Sequence, residues 1–405
     1  EVFIYFIANI YLFNLFYTVP TTFRYDPLKS LVMKLKQKLF FLFTMTLVFT
    51  GVITSCIKTE EPNAEADILS CSVKPDDILI REPEINNSDV LLIVKKGTDL
   101  SSITLDFTLT EGATIDPPSG TQLDLNSPKI FKVTSEDGKW NKTYTVSVTD
   151  ADMGTTYHFE DTIMKNENQR FYIIAEKDIN KNTTLEWASG NAGYSLTGVA
   201  KNADDYPTII STNGYKGNCI KLTTKDTGFF GRDNDMPLAA GNIFIGSFHT
   251  KQAIKEPLKA TLFGRPFDKY PTRLTGYYKY KRGNDFLVLD KESGEQTVDP
   301  NKRDICDIYA VFYETDENFK SLDGSNSLTH PNIVAIARIK DAKETNSWTF
   351  FDLEFDYNKK PNHDKVQAGK YNLAIVFTSS IEGHLFNGAL GSTLYIDEVE
   401  LKYID

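Results

Sequence analysis

The run FFDLEFDY (residues 350–357) alternates acid with aromatic or aliphatic: Asp352, Glu354 and Asp356 share one parity, Phe351, Leu353, Phe355 and Tyr357 the other. On a strand, residues two apart lie ~6.6 Å from one another on the same face. Cleavage of a glycosidic bond uses two carboxylates ~5–5.5 Å apart for retention or ~6.5–9.5 Å apart for inversion. Asp352 and Glu354 are therefore the candidate catalytic pair. The same alternation is equally the signature of an antiparallel strand with one wet face, which needs no chemistry. Asp307 and Glu314, flanking IYAVFY, make no stronger pattern.

Other reaction classes lack their residues. The five histidines (His158, His249, His330, His363, His384) form no HExxH pair. There is no G-x-S-x-G elbow and no GxxxxGK[ST] phosphate loop. Sugar binding asks for something different: flat rings to stack on pyranose faces, and polar side chains to meet hydroxyls. Candidates in turn-rich settings are Trp187 near Ser189 and Asn191, Tyr206 before Pro207, Tyr215 between glycines, Arg232 after Phe229-Phe230-Gly231, and His384 in SSIEGHLFNGALGS. In the 277–280 run, Tyr278 and Tyr280 fall on one strand face and Tyr277 on the other. Core packing is the competing account of each aromatic.

These residues must be held by strands. From Asp67 to Asp150, DVLLIVKK, ITLDFTLT and the hairpin pattern KIFKVTSEDGKWNKTYTVSVTD, with Asp137-Gly138 at its turn, predict a small antiparallel sandwich. From Thr155 to the end, strand runs such as DICDIYAVFYET, PNIVAIARIK, KYNLAIVFTSS and STLYIDEVELKY follow one another with no long helical period. That order predicts a larger jelly-roll β-sandwich over 155–405. In the last run Leu394 and Ile396 share one parity while Val399, Leu401 and Tyr403 share the other, so a β-bulge is expected at Asp397-Glu398.

Ahead of these domains, Met33 opens a stretch with Lys34, Lys36 and Lys38, then Leu39–Ile53 without charge, then Ile53-Thr54-Ser55-Cys56. This is the layout of an export signal over 33–55, too short to span a bilayer comfortably, which takes ~20 residues. Its exit resembles a lipobox, which implies an acylated Cys56 as the mature first residue, held in the outer membrane by its lipid. Lys58, Glu60 and Glu61 resemble the tag that sends lipoproteins of Gram-negative gut and oral anaerobes to the outer surface. Residues 57–66 read as a polar tether, and residues 1–32 as an upstream extension outside the coding start.

The chain carries a formal charge of −11. Without residues 1–55, which hold five basic and two acidic side chains, 39 Lys and Arg face 53 Asp and Glu, a balance of −14. Nucleic acid is not the expected partner, since its binders present basic faces. Cys71, Cys219 and Cys306 are widely spaced among strand-like neighbours and are expected as buried thiols.

EWASGN (186–191), LAAGNIFIGSF (238–248), GRPFDKYPTRLTGYYKY (264–280), AIVFTSS (374–380) and FNGALGSTLYIDEVELKY (386–403) occur in order. This series resembles the putative carbohydrate metabolism domain family, surface lipoproteins of which many are named as glycoside hydrolases. The EDGKWNKTYTVSV ending resembles immunoglobulin-like spacer domains that precede the working domain in such lipoproteins. YHFED and LYIDEVEL look like the terminal strands of jelly-roll carbohydrate-binding modules, which implies a structural Ca²⁺ on Glu160 and Asp397; the sequence requires no other cofactor. The implied role is glycan binding at the outer surface, alongside an outer-membrane glycan importer. A glycoside hydrolase on the same fold, and a surface adhesin or assembly subunit without a sugar ligand, are the alternatives.

Overall fold

A computed structural model describes residues 62–405 other than 81, 86, 87, 96, 151, 152, 165–169, 251, 291 and 317. The export signal, Cys56 and the 1–32 extension lie outside the described residues. Within them the chain is all β: no helix is longer than the six residues of Gly228–Asp233. No described helix is long and apolar enough to cross a membrane.

Residues 68–150 build two sheets. One has three strands in the order Ile68–Lys74, Ile103–Leu109, Gln122–Leu123. The other has five, and its Lys129–Thr134 and Asn141–Asp150 strands form the expected hairpin with Thr134 opposite Asn141. Asn141–Asp150 also runs parallel to Asp89–Val94. The hairpin's alternation closes the core: Phe131, Val133, Tyr144 and Val146 are all 1% exposed or less and pack with Val90, Leu92 and Leu105.

The larger sandwich has two six-stranded sheets. In the first, the order is Thr208–Ser211, Cys219–Thr223, Thr393–Ile404, Tyr270–Lys281, Thr345–Glu354, with Thr156–Tyr157 also pairing on Thr393–Ile404. In the second it is Asn242–Phe244, Tyr371–Thr378, Asp307–Glu314, Ile333–Arg338, Asp356–Tyr357, with Arg265–Pro266 also on Tyr371–Thr378. Between them lies the main core, centred on Leu274, Tyr280, Ile308, Phe312, Phe377 and Ile396. Full burial of each such side chain contributes about 1.5–3 kcal/mol.

The two sheets differ on their outer faces, and their sequences say why. Asp307–Glu314 and Tyr371–Thr378 are buried at every position but the last, because loops cover the second sheet's outer face with Phe244, Phe263, Tyr309, Val311 and Tyr313 beneath them. Such strands read as continuous apolar runs rather than alternating ones. Tyr270–Lys281 does alternate near its end: Tyr278 and Tyr280 point inward, and Tyr277, Lys279 and Lys281 point out. The expected bulge is present. Thr275 pairs with Glu400 and Tyr277 with Asp397, which leaves one extra residue on the last strand, and Glu398 takes φ +47° there.

Candidate functional site

Loops over the second sheet's outer face enclose a cavity of about 460 Å³. Phe244, Tyr309 and Val376 form part of its floor, and Phe230, Leu258 and Phe386 part of its walls. Two charged residues reach it from adjacent strands. Asp307 opens its strand and Arg338 ends the next one, with Tyr309 opposite Arg338 in register. Arg338 Nε donates to Asp307 Oδ1 and Oδ2 at 3.0 and 3.1 Å, and Nη2 to Oδ2 at 2.7 Å. This forked geometry fixes the guanidinium plane. Burial pushes the Asp307 carboxyl above its ordinary value, while Arg338 and then the Ile308 N–H oppose the rise. Beside them Tyr309 Oη donates to Ser327 Oγ at 3.3 Å.

His384 lies on the cavity wall, in the 3-10 turn Gly383–Leu385. Its loop is tied down from below. Buried Asp304 Oδ2 accepts from Ser380 Oγ (2.6 Å), Ser392 Oγ (2.6 Å) and Ala389 N–H (2.8 Å), so both ends of the loop share one carboxylate. The result is a concave site of mostly apolar lining with a few fixed polar groups, the usual make-up of a small-ligand site. Among the described residues, Asp307 is the one carboxylate on its wall, and Arg338 holds it. Two-carboxylate hydrolysis needs a second acid across the sugar.

His384 is the one expected ligand-facing residue placed on this wall. Arg232, on the helix whose Phe230 and Gly231 do line it, ion-pairs with Asp226 of the preceding strand. Trp187 and Tyr206 are corrected to core residues. Trp187 is 3% exposed, donates Nε1–H to Glu176 Oε1 at 3.2 Å and packs edge-on to Tyr157. Tyr206 is 1% exposed between Phe171 and Tyr194. Their turn-like neighbours are inward-facing short elements, and turn residues alone do not report which way a ring points. Tyr215 is 50% exposed, but in the loop between Thr208–Ser211 and Cys219–Thr223, against Tyr277 of the first sheet.

Asp352 and Glu354 also lie on the first sheet's open face, and neither lines this cavity. Arg273, opposite Glu354 in register, donates Nε–H to Asp352 Oδ1 at 2.6 Å and sets Nη1 3.6 Å from Glu354 Oε2. With a guanidinium shared between them they form a surface ion-pair group, which corrects the acid–base reading.

Glu160 and Asp397 converge, but on amides. Asn218 N–H donates to Glu160 Oε1 and Oε2 at 3.2 and 3.1 Å. Lys216 N–H donates to Asp397 Oδ2 at 2.9 Å, and Glu398 N–H to Oδ1 at 2.8 Å. Ca²⁺ needs six to eight oxygen ligands. Here hydrogen-bond donors occupy the carboxylates, and among the described residues no three acidic, histidine or cysteine side chains gather as a metal site. The pair therefore does not fit a cation; it clamps the loop that carries Tyr215.

Arg338 and Tyr309 were the residues missed. Arg338 had a signal, a single charge closing the apolar run IVAIAR, and Asp307 had the mirror-image one at the start of DIYAVFYE. Tyr309 had none, because a strand buried on both faces has no parity to read.

Residues 158–402 match the family model described as "Putative carbohydrate metabolism domain", and residues 68–148 the one described as "SGBP, N-terminal", the amino-terminal domain of surface glycan-binding proteins. A crystal structure of a "putative glycoside hydrolase" from Bacteroides thetaiotaomicron is 54% identical, with TM-score 0.78, and the match covers 85% of this chain and 99% of that one. Another, of a "putative glycoside hydrolase" from Bacteroides vulgatus, is 43% identical with TM-score 0.56, covering 62% of this chain and 98% of that one. No curated protein matches. With its larger sandwich matched almost end to end, this chain belongs to the putative carbohydrate metabolism domain family.

Proposed function

We propose that the protein is a cell-surface lipoprotein, anchored in the outer membrane through acylated Cys56, that binds complex glycan as part of carbohydrate acquisition beside an outer-membrane glycan importer. The two domain matches support glycan association at the cell surface. The observation that carries the reading is the cavity: rings of Phe230, Tyr309 and Phe386 border it, and the Asp307–Arg338 fork and His384 supply hydrogen bonds at fixed points. Sugars present alternating C–H faces and hydroxyl edges, and such a wall meets both. Its single, paired carboxylate supports binding over hydrolysis. The immunoglobulin-like domain holds this site away from the membrane.

The test is affinity electrophoresis through gels containing neutral plant and host polysaccharides. Phe230 is 36% exposed and His384 is exposed on a loop, so Phe230→Ala and His384→Ala leave the core intact. A ring contact is worth ~1 kcal/mol, so each variant should weaken retardation about fivefold. No retardation of the wild type on any polymer, or full retardation of the double variant, overturns the reading. Steady release of reducing ends from a retarding polymer would move the assignment to hydrolase. Labelled palmitate should enter the wild type in cells and not Cys56→Ala.

A further inference from the structure

The first sheet's open face carries a second constellation, remote from the cavity. Tyr215 lies flat on Tyr277, ring centroids 3.7 Å apart and planes 10° apart, with Trp348 edge-on at 6.4 Å. Tyr277 in turn meets Phe350, its cross-strand partner, which is 55% exposed. Two residues along the same strand, Lys279 places Nζ 4.4 Å from the Trp348 ring centroid and 4.9 Å from that of Tyr395. Among the described residues no carboxylate pairs with Lys279. Lys281 follows on the same face, and Lys221 sits opposite Tyr395 in register.

This platform is built in advance. Asp397, 0% exposed, and Glu160 hold the Tyr215 loop by its backbone amides, so the exposed Tyr215 ring is set on Tyr277 before any ligand arrives. Preorganisation of this kind lowers the ordering cost of binding.

We propose that this face is a separate binding surface for an acidic polysaccharide whose pyranoses carry carboxylates, a hexuronate chain. The reason is charge. A neutral pyranose laid over Trp348 and Tyr395 would cover the Lys279 ammonium with no counter-charge, which is unfavourable. A ring carboxylate supplies that charge while the sugar face stacks on Tyr215. The lysines here stand out on a chain of net charge −11.

The experiment is affinity electrophoresis of the protein against polygalacturonate, with dextran sulfate, which carries no carboxylate, neutral galactan and anionic lipid vesicles as comparators. Polygalacturonate should retard the wild type, less so as salt rises. Lys279→Met and Tyr215→Ala should each weaken retardation at least fivefold, and Lys279→Arg, which keeps both charge and stacking, should restore it. Unchanged thermal unfolding shows that these variants fold. Phe230→Ala/His384→Ala should leave it untouched, which separates this surface from the cavity. The proposal is overturned by no retardation on polygalacturonate, by Lys279→Met behaving as wild type, or by equal or stronger binding to galactan, to the sulfated polymer or to vesicles.

Discussion

Asp304 offers a sharp test of how the cavity is held in shape. Its side chain is 1% exposed as a residue and accepts three hydrogen bonds that tie Ser380, Ala389 and Ser392 together, the frame of the loop bearing His384 and Phe386. Asp304→Ala removes the acceptor. Ser380 Oγ keeps a contact with Thr224 Oγ1, and Ser392 Oγ still accepts from Gly283 N–H, so each hydroxyl retains one partner. The Ala389 amide is left without its partner at about 1–3 kcal/mol, and the two lost hydroxyl bonds add about 1 kcal/mol each. Burial raises the Asp304 carboxyl above its ordinary value, so losing a buried charge returns part of that cost. The net loss is about 3 kcal/mol, or ~6–12 °C in the melting temperature of a domain this size. Asp304→Asn keeps an acceptor oxygen and should stay within about 1 kcal/mol. Differential scanning calorimetry of both variants reads this directly. A melt of Asp304→Ala within a degree of wild type, or equal losses for Ala and Asn, would refute the idea that this carboxylate frames the loop.

Arg338→Met should cost about 3 kcal/mol at neutral pH, because it strands Asp307, whose side chain is 5% exposed, without its partner. The folded-state value of Asp307 is raised. Its ionisation therefore favours folding least at high pH: the penalty should be absent at low pH and grow as pH rises through that raised value, a trend visible in pH-dependent melts. Phe312→Ala, in a ring at 0% exposure stacked 5.0 Å from Tyr371, should lose about 3–5 kcal/mol in urea unfolding. Glu314 has the opposite sign from Asp307. Lys365 holds it below its ordinary value, with help from the Tyr371 hydroxyl at 2.8 Å. That stability is present above the ordinary glutamate value and lost as pH falls through the lowered one, so Glu314→Gln should flatten the acid limb of the stability profile.

What the sequence made legible followed from periodicity. The 129–150 hairpin was readable because each of its strands has one wet face, and the Asp397-Glu398 bulge because the parity slip between Ile396 and Val399 admits one repair. The cavity was not readable, because Asp307–Glu314 and Tyr371–Thr378 are covered on both faces and parity vanishes. Nor does any local pattern record that Arg338 and Asp307, 31 residues apart, meet at strand ends. The first sheet is the instructive case. The alternation that put Asp352 and Glu354 on the wet face puts Trp348 and Phe350 there too, since all four share parity. Glu160 and Asp397 are the complementary case. The sequence picked out the right two carboxylates and the structure brings them to one loop, but a carboxylate serves an amide as readily as a cation. What decides is the neighbouring atoms, and here they are N–H groups. Glu160 and Asp397 thus hold the loop that carries Tyr215, while Asp352 and Glu354 share Arg273 on the open face.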